Sequence, residues 1–200
     1  MITLALDCST GAGSIALERD GQIWKHSLLE SGTQAAQLVP IIKELCAQAD
    51  CHATDITRIY CPVGPGSFTG IRISLTVARI LSFTTNAEAI GVSTLDAFAL
   101  SHEGDSDFTV ATRAGKGQAY LQHYRAGEPL THASDIEIVD IAALDNPAIG
   151  NLEQCTTTLP VPDMRQLLLK KNLLARTYPL EALYVRAPDA DPAKPLEARK

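Results

Sequence analysis

The sequence is poor in the features that build metal, disulfide and membrane chemistry. Its five cysteines (Cys8, Cys46, Cys51, Cys61, Cys155) are odd in number and contain no Cys-x-x-Cys pair. That spacing excludes a zinc ribbon and argues against a disulfide framework. The five histidines (His26, His52, His102, His123, His132) include no two that are four residues apart. A helical His-x-x-x-His metal site is therefore missing. There is no Gly-x-Ser-x-Gly nucleophile elbow, no Walker loop and no Gly-x-Gly-x-x-Gly. No apolar run approaches the roughly 18 residues that cross a bilayer. The start, Met1 to Asp7, has no basic segment before its apolar run and does not read as a signal peptide. The expectation from these absences is a cytoplasmic protein.

What remains is ordinary globular material. The 200 residues are 46% hydrophobic and 20% charged, enough for a core without covalent staples. The net charge of −6 argues against tight, stand-alone binding to nucleic acid, which needs clustered Lys and Arg. Three short strands open the chain: Ile2 to Leu6, Ser14 to Glu18 and Gln22 to Leu28. The last two are joined at Asp20-Gly21, a strong hairpin signal. A helix is predicted from a Thr33 cap to about Ala49 and a second from about Phe68 to Phe83, with a strand at 56–61 between them. Pro40 should disturb the first helix. A strand at 89–92, a short helix capped by Ser93-Thr94 and strands at 108–112, 119–124, 137–139 and 148–151 follow. A last helix is predicted over 164–177, then a loose tail. The pattern predicts an α/β fold with mixed sheets and flanking helices. The acidic stretch Ser101–Asp107 marks a boundary between a lobe at 1–103 and a reduced lobe at 104–200.

Two turns hold the best candidate chemistry. Gly64-Pro65-Gly66-Ser67 joins a strand to a helix, and Ser67 can cap that helix. It reads as an anion seat at a helix N-terminus or as a tight turn with no ligand. Asp7, Ser9 and Thr10 end the first strand before Gly11 and Gly13. They could hold Mg²⁺ and phosphate, or simply close an Asx turn. Arg113 to Tyr120 forms a basic hairpin tip. On the two long helices the apolar arcs are wider than one sheet face needs. Leu38, Ile41, Ile42 and Leu45, with Ile71, Leu75 and Ala78, are the expected surplus, available to a partner. The alternative is that both helices are buried on two sides.

Gly64-Pro65-Gly66-Ser67-Phe68-Thr69-Gly70-Ile71-Arg72-Ile73 resembles the signature of the bacterial TsaB (YeaZ) family. Leu4 to Thr10, Gly91-Val92-Ser93-Thr94-Leu95, Thr112-Arg113 to Tyr120 and Leu183-Tyr184-Val185-Arg186 are similar to further segments of that family. The likeness is dense to about residue 125. It implies a two-lobed ASKHA fold, as in actin and Hsp70, with the second lobe reduced. It implies a non-catalytic scaffold in the making of threonylcarbamoyladenosine (t⁶A) in tRNA, with no resident metal or cofactor. ATP and Mg²⁺ would enter only at an interface of the complex. The implied partners are a TsaD-like catalytic subunit and a TsaE-like ATPase, a second copy when the chain is alone, and tRNA only indirectly. An ATPase or phosphotransferase acting alone through Asp7, Ser9 and Thr10 is the rival. Three positions depart from the family pattern: Gln34 stands where a His is common, Thr112 where an Asp is, and Ser74 where a Gly is.

Overall fold

A computed structural model describes residues 1–28, 32–103, 106–183 and 185. Gly104 and Asp105 of the expected boundary, Tyr184 and Arg186 of the Tyr-x-Arg motif, and the tail after Val185 lie outside the described residues.

The first sheet has strand order β3-β2-β1-β4-β5, from β1 (Ile2–Asp7), β2 (Gly13–Arg19), β3 (Gln22–Leu28), β4 (Ile56–Gly64) and β5 (Glu88–Ser93). β1 to β3 form an antiparallel meander, and β4 and β5 join it in parallel. The β2–β3 loop has two residues, Asp20 and Gly21, both at positive φ (52° and 85°). That is the turn whose twist suits a hairpin, as the Asp-Gly pair predicts. Side chains alternate across the sheet. Leu4, Leu6, Ile15, Leu17, Ile59 and Cys61 pack on one face under α1 (Gln34–Gln48) and α2 (Phe68–Thr85). Ala5, Ala16, Tyr60 and Val92 pack on the other, against α3 (Thr94–Leu100) and α4 (Met164–Lys170). Because helices cover both faces, every residue of β1 is buried.

The second sheet is built on β6 (Asp107–Gly115) and β7 (Gln118–Arg125), with β8 (Glu128–Pro129), β9 (Ser134–Glu137), β10 (Ala148–Gly150) and β11 (Thr157–Thr158). Its order is β11-β10-β6-β7-β8, and β9 also pairs β7. α3 lies between the two sheets, and all seven of its residues are buried. Ala97 and Leu100 face the first sheet. Leu95, Phe98 and Ala99 face Phe108, Val110 and Tyr124 of the second. Ser93 caps this helix through Leu95 N–H, so the predicted cap and boundaries hold.

The second half of the chain does not stay on the second sheet. α4 packs on β1 and β2, its start fixed by Met164 N–H to Ser14 Oγ and Asp163 N–H to Ser101 Oγ. The helix ends at Lys170, well short of the predicted Thr177. Lys170 Nζ donates to the carbonyls of Leu100 and His102, and the chain then leaves to reach β5. There Tyr178 and Gly91 exchange both backbone hydrogen bonds (2.7 and 2.8 Å). Leu183 N–H donates to Val63 O, and Arg79 donates to Leu180 O. Residues 178–183 thus cover an edge that β5 would otherwise leave unpaired. The strand predicted at 137–139 is also displaced. It runs over Ser134–Glu137, and Ile138–Ala143 forms a 3-10 turn that buries Ile141 under the second sheet.

A buried polar contact joins α3 to β7. The Tyr124 hydroxyl donates to Asp96 Oδ1 at 2.7 Å and lies 3.0 Å from Gln122 Oε1. The ring stacks on Phe108, with centroids 5.6 Å apart. Tyr124→Phe keeps that stacking and leaves a buried carboxyl without its donor. Urea unfolding is expected to show a loss of about 1–3 kcal/mol.

Candidate functional site

Asp7, Ser9 and Thr10 and the turn Gly64-Pro65-Gly66-Ser67 sit side by side. β1 and β4 are parallel neighbours, so both turns leave the same end of the sheet. The two backbones then come into direct contact. Ser67 N–H donates to Ser9 O at 2.6 Å. A Cβ on Gly66 would stand 2.3 Å from Ser9 O, and one on Gly70 only 1.8 Å from Cys8 O. Glycine is required at both positions because another chain segment occupies the space. Gly64 (φ 119°) precedes a cis peptide to Pro65, and a Cβ there would meet Leu183 O at 2.7 Å. Gly66 and Gly70 therefore serve to let α2 dock on the first strand's turn.

Ser67 caps α2 as predicted, its Oγ accepting from Gly70 N–H at 3.2 Å. With the Ser67 amide given to Ser9 and that of Gly70 to Ser67, an anion seat here would rest on the amides of Phe68 and Thr69 alone. The start of α1 differs from expectation. Thr33 makes no side-chain cap. Gln34, at 5% exposure, does the anchoring. Its Oε1 accepts from Gly32 N–H at 3.0 Å, and its Nε2 donates to Gly11 O. The departure from the family's His thus ties α1 to the first turn. Ser74 is fully buried, and its hydroxyl bonds back to Gly70 O and Ile71 O. It faces the chain's own core. Thr112 is buried on the second sheet, its hydroxyl without a hydrogen-bond partner among the described residues.

Asp7 and Ser9 are completely buried. Asp7 Oδ1 accepts from Ser9 N–H at 2.9 Å, an Asx turn. Asp7 Oδ2 and Ser9 Oγ have no partner among the described residues. Burial dominates this carboxyl and pushes its pKa up to about 7, against the lowering effect of the Ser9 hydrogen bonds. Thr10 Oγ1 donates to Pro160 O at 2.9 Å. A hard cation wants exposed, ionised oxygens. Asp7 and Ser9 are buried and the Thr10 hydroxyl is committed, so the turn presents no open seat for Mg²⁺ or phosphate. Burial likewise pushes the Cys8 thiol up to about 12, which rules out a ready nucleophile. Among the described residues no group of three His, Cys, Asp or Glu side chains could hold a metal ion.

The expected partner surface needs correction. Leu38, Ile41, Ile42, Leu45, Ile71, Leu75 and Ala78 are between 0% and 7% exposed and belong to the core between the helices and the first sheet. Their surplus on the helical pattern is spent inside the chain, because α1 and α2 pack on each other as well as on the sheet. The exposed apolar residues of these helices are others: Val39 on α1 and Phe68, Ile80 and Phe83 on α2, at 45%, 51%, 58% and 90% exposure. Phe68, Arg72, Thr76, Ile80 and Phe83 follow helical spacing along one outer stripe. The Arg72 guanidinium lies 3.6 Å above the Phe68 ring. The signal was present in the sequence, because Thr69, Arg72, Thr76 and Arg79 marked this face as the polar one. Its apolar members went unread against them.

Comparison with known proteins gives a consistent set. The family model described as "TsaD: tRNA N6-adenosine threonylcarbamoyltransferase" matches residues 31–175. The tRNA threonylcarbamoyladenosine biosynthesis protein TsaB of Escherichia coli is 32% identical over 143 residues, covering 70% of this chain and 62% of that protein. TsaB of Buchnera aphidicola is 31% identical over 126 residues, with 62% and 60% covered. The chain thus matches less than two thirds of the length of either. An uncharacterised Mycobacterium tuberculosis protein is 26% identical and matches over 94% of this chain and 93% of its own. Two Pseudomonas aeruginosa structures share the fold at 24% identity. One, described as similar to peptidase YEAZ, has a TM-score of 0.77 and covers 92% of this chain and 99% of its own. The other, YeaZ, has a TM-score of 0.72, with 86% and 91% covered.

The raised Asp7 pKa predicts a pH signature. Between about pH 4 and pH 7 the folded chain keeps a proton that the unfolded chain has released. The corresponding stability is complete below about pH 4 and is lost as pH rises through about 7. Asp7→Asn keeps the acceptor for Ser9 N–H and removes the titration. Melting temperatures measured from pH 4 to 7.5 should fall more steeply for wild type than for the variant, by the equivalent of a few kcal/mol.

Proposed function

The chain belongs to the TsaB/YeaZ group within the TsaD family and has its ASKHA-like fold, and on that premise we propose that it serves tRNA threonylcarbamoyladenosine biosynthesis as a non-catalytic scaffold for a TsaD-like catalytic subunit. The observation that carries this reading is the outer stripe of α2. It combines exposed Phe68, Ile80 and Phe83 with Arg72 and Thr76 on an 18-residue helix. Apolar residues at helical spacing, beside exposed Val39 of the neighbouring α1, suit a helix from a partner laid along both. The same stripe on a second copy would be self-complementary, so two copies would pair through it when the catalytic subunit is absent.

In this reading the buried motifs support the surface rather than perform chemistry. The docking of Gly66 and Gly70 on Ser9 and Cys8 fixes the position of α2. The chain holds no metal or nucleotide of its own, and a TsaE-like ATPase joins the assembly through the catalytic subunit. The −6 charge leaves tRNA contact to the partners. The solitary ATPase reading has less support. Its carboxylate is buried and protonated up to neutral pH, and Thr10 is already committed. No helix among the described residues is long and apolar enough to cross a membrane.

Ile80→Asp and Phe83→Asp should each weaken co-purification with a TsaD-like subunit at least tenfold, because a charge buried without a partner is costly. Their melting temperatures should stay close to wild type. Leu75→Asp, in the core, should instead unfold the chain. Adding the wild-type chain to the catalytic subunits should raise t⁶A synthesis, and adding the two surface variants should not. Wild-type binding by both surface variants would overturn the assignment.

A further inference from the structure

The C-terminal end of α1 brings two cysteines together by its backbone geometry. Asp50 takes a left-handed conformation (φ 50°) just past the cap residue Ala49. Asp50 N–H donates to Ala47 O at 3.2 Å, and Cys51 N–H donates to Cys46 O at 2.9 Å. These two bonds define a Schellman motif, in which the side chains at the positions now held by Cys46 and Cys51 meet. Cys51 packs against the core cluster to which Cys46 belongs. The 6→1 backbone bond keeps the two residues next to each other across the turn. Their surroundings differ. Cys46 is 3% exposed and packs in the first core, while Cys51 is half-buried. Both line an open surface groove of about 600 Å³ with Lys43, Asp50 and His52.

We propose that Cys46 and Cys51 form a redox-modification site, a dithiol that a hydroperoxide converts to an intramolecular disulfide. The half-buried Cys51 sulfur meets the oxidant in the groove. Its thiolate attacks the peroxide oxygen, the O–O bond breaks, and Cys51 becomes a sulfenic acid as water or an alcohol leaves. The Cys46 sulfur then attacks the Cys51 sulfur. The S–S bond forms, and the sulfenic hydroxyl departs with the Cys46 proton as water. In total, two thiols and one hydroperoxide give one disulfide, one alcohol (or water) and one water. Burial, and secondly the neighbouring Cys51 and Asp55, push the Cys46 thiol up to about 12, which leaves the first attack on the peroxide to the more exposed Cys51. The product closes a short loop that staples the last turn of α1, the helix whose Leu45 and Cys46 sit in the core. This inference does not depend on the proposed scaffold role.

The experiment uses the full chain, hydrogen peroxide as the oxidant, alkylation after unfolding, and mass spectrometry of tryptic peptides. Cleavage after Lys43 and Arg58 gives one peptide, Glu44 to Arg58, that carries both cysteines and none of the other three. That peptide should become two hydrogen masses lighter and resist alkylation, while Cys8 and Cys61 remain alkylatable. Dithiothreitol should reverse the change. In Cys46→Ala, Cys51 should instead advance to the heavier sulfinic acid. In Cys51→Ser, Cys46 should stay reduced. Asp50→Val disfavours the left-handed turn and keeps both thiols, so it should slow disulfide formation several-fold. Accumulation of sulfinic Cys51 beside an alkylatable Cys46 in the wild-type chain would overturn the proposal, as would an unchanged peptide under peroxide that oxidises Cys8 or Cys61.

Discussion

The carbonyl of Cys8 sets the position of the second helix. At Gly70 the two backbones approach so closely that a single methyl group would stand 1.8 Å from that oxygen. Ser67 N–H, bonded to the neighbouring Ser9 carbonyl, holds the same contact from the other side. The outer stripe of α2, the sheet edge that its Arg79 helps to strap, and the burial of Asp7 all follow from this approach. A glycine turn at the end of a strand is often read as a cradle for a ligand. Here the first strand's own turn fills the cradle.

That occupancy changes what the buried polar groups mean. Asp7 has lost water and gained only part of its hydrogen bonding, so burial outweighs the Ser9 contacts and the acid is weak. A strand-end turn can keep the shape of a phosphate turn and lack the solvent access that chemistry there would need. The exposed consequence lies on the other side of α2, where Phe68, Ile80 and Phe83 meet solvent. The internal contact fixes which face of α2 is presented to solvent.

Much of the architecture was legible in the sequence. Asp20-Gly21 specified the first hairpin, Ser67 and Ser93 specified two helix starts, and the apolar run Ile2 to Leu6 specified the first strand. The departures from local pattern share one cause. Periodicity predicts a helix over 164–177, but Lys170 is spent on the carbonyls of Leu100 and His102, and the following residues are drawn to β5. Local pattern predicts a strand at 137–139, but there the chain coils beneath the second sheet and buries Ile141. In each case a long-range contact outweighed a local preference.

The sequence by itself determined the fold family, the turn chemistry and the absence of metal-ligand spacings. All of these depend on residues close together along the chain. Which apolar residues of α1 and α2 face inward was decided only by tertiary structure. Periodicity defines a helix's apolar arc, but not how many neighbours will cover it. The sheet and the facing helix together consumed Leu38, Ile42, Leu75 and Ala78 and left Val39, Ile80 and Phe83 outside. Tertiary structure likewise brought the glycines of α2's start onto the first strand's turn, and the chain's reversal after α1 brought Cys51 back to the Cys46 carbonyl.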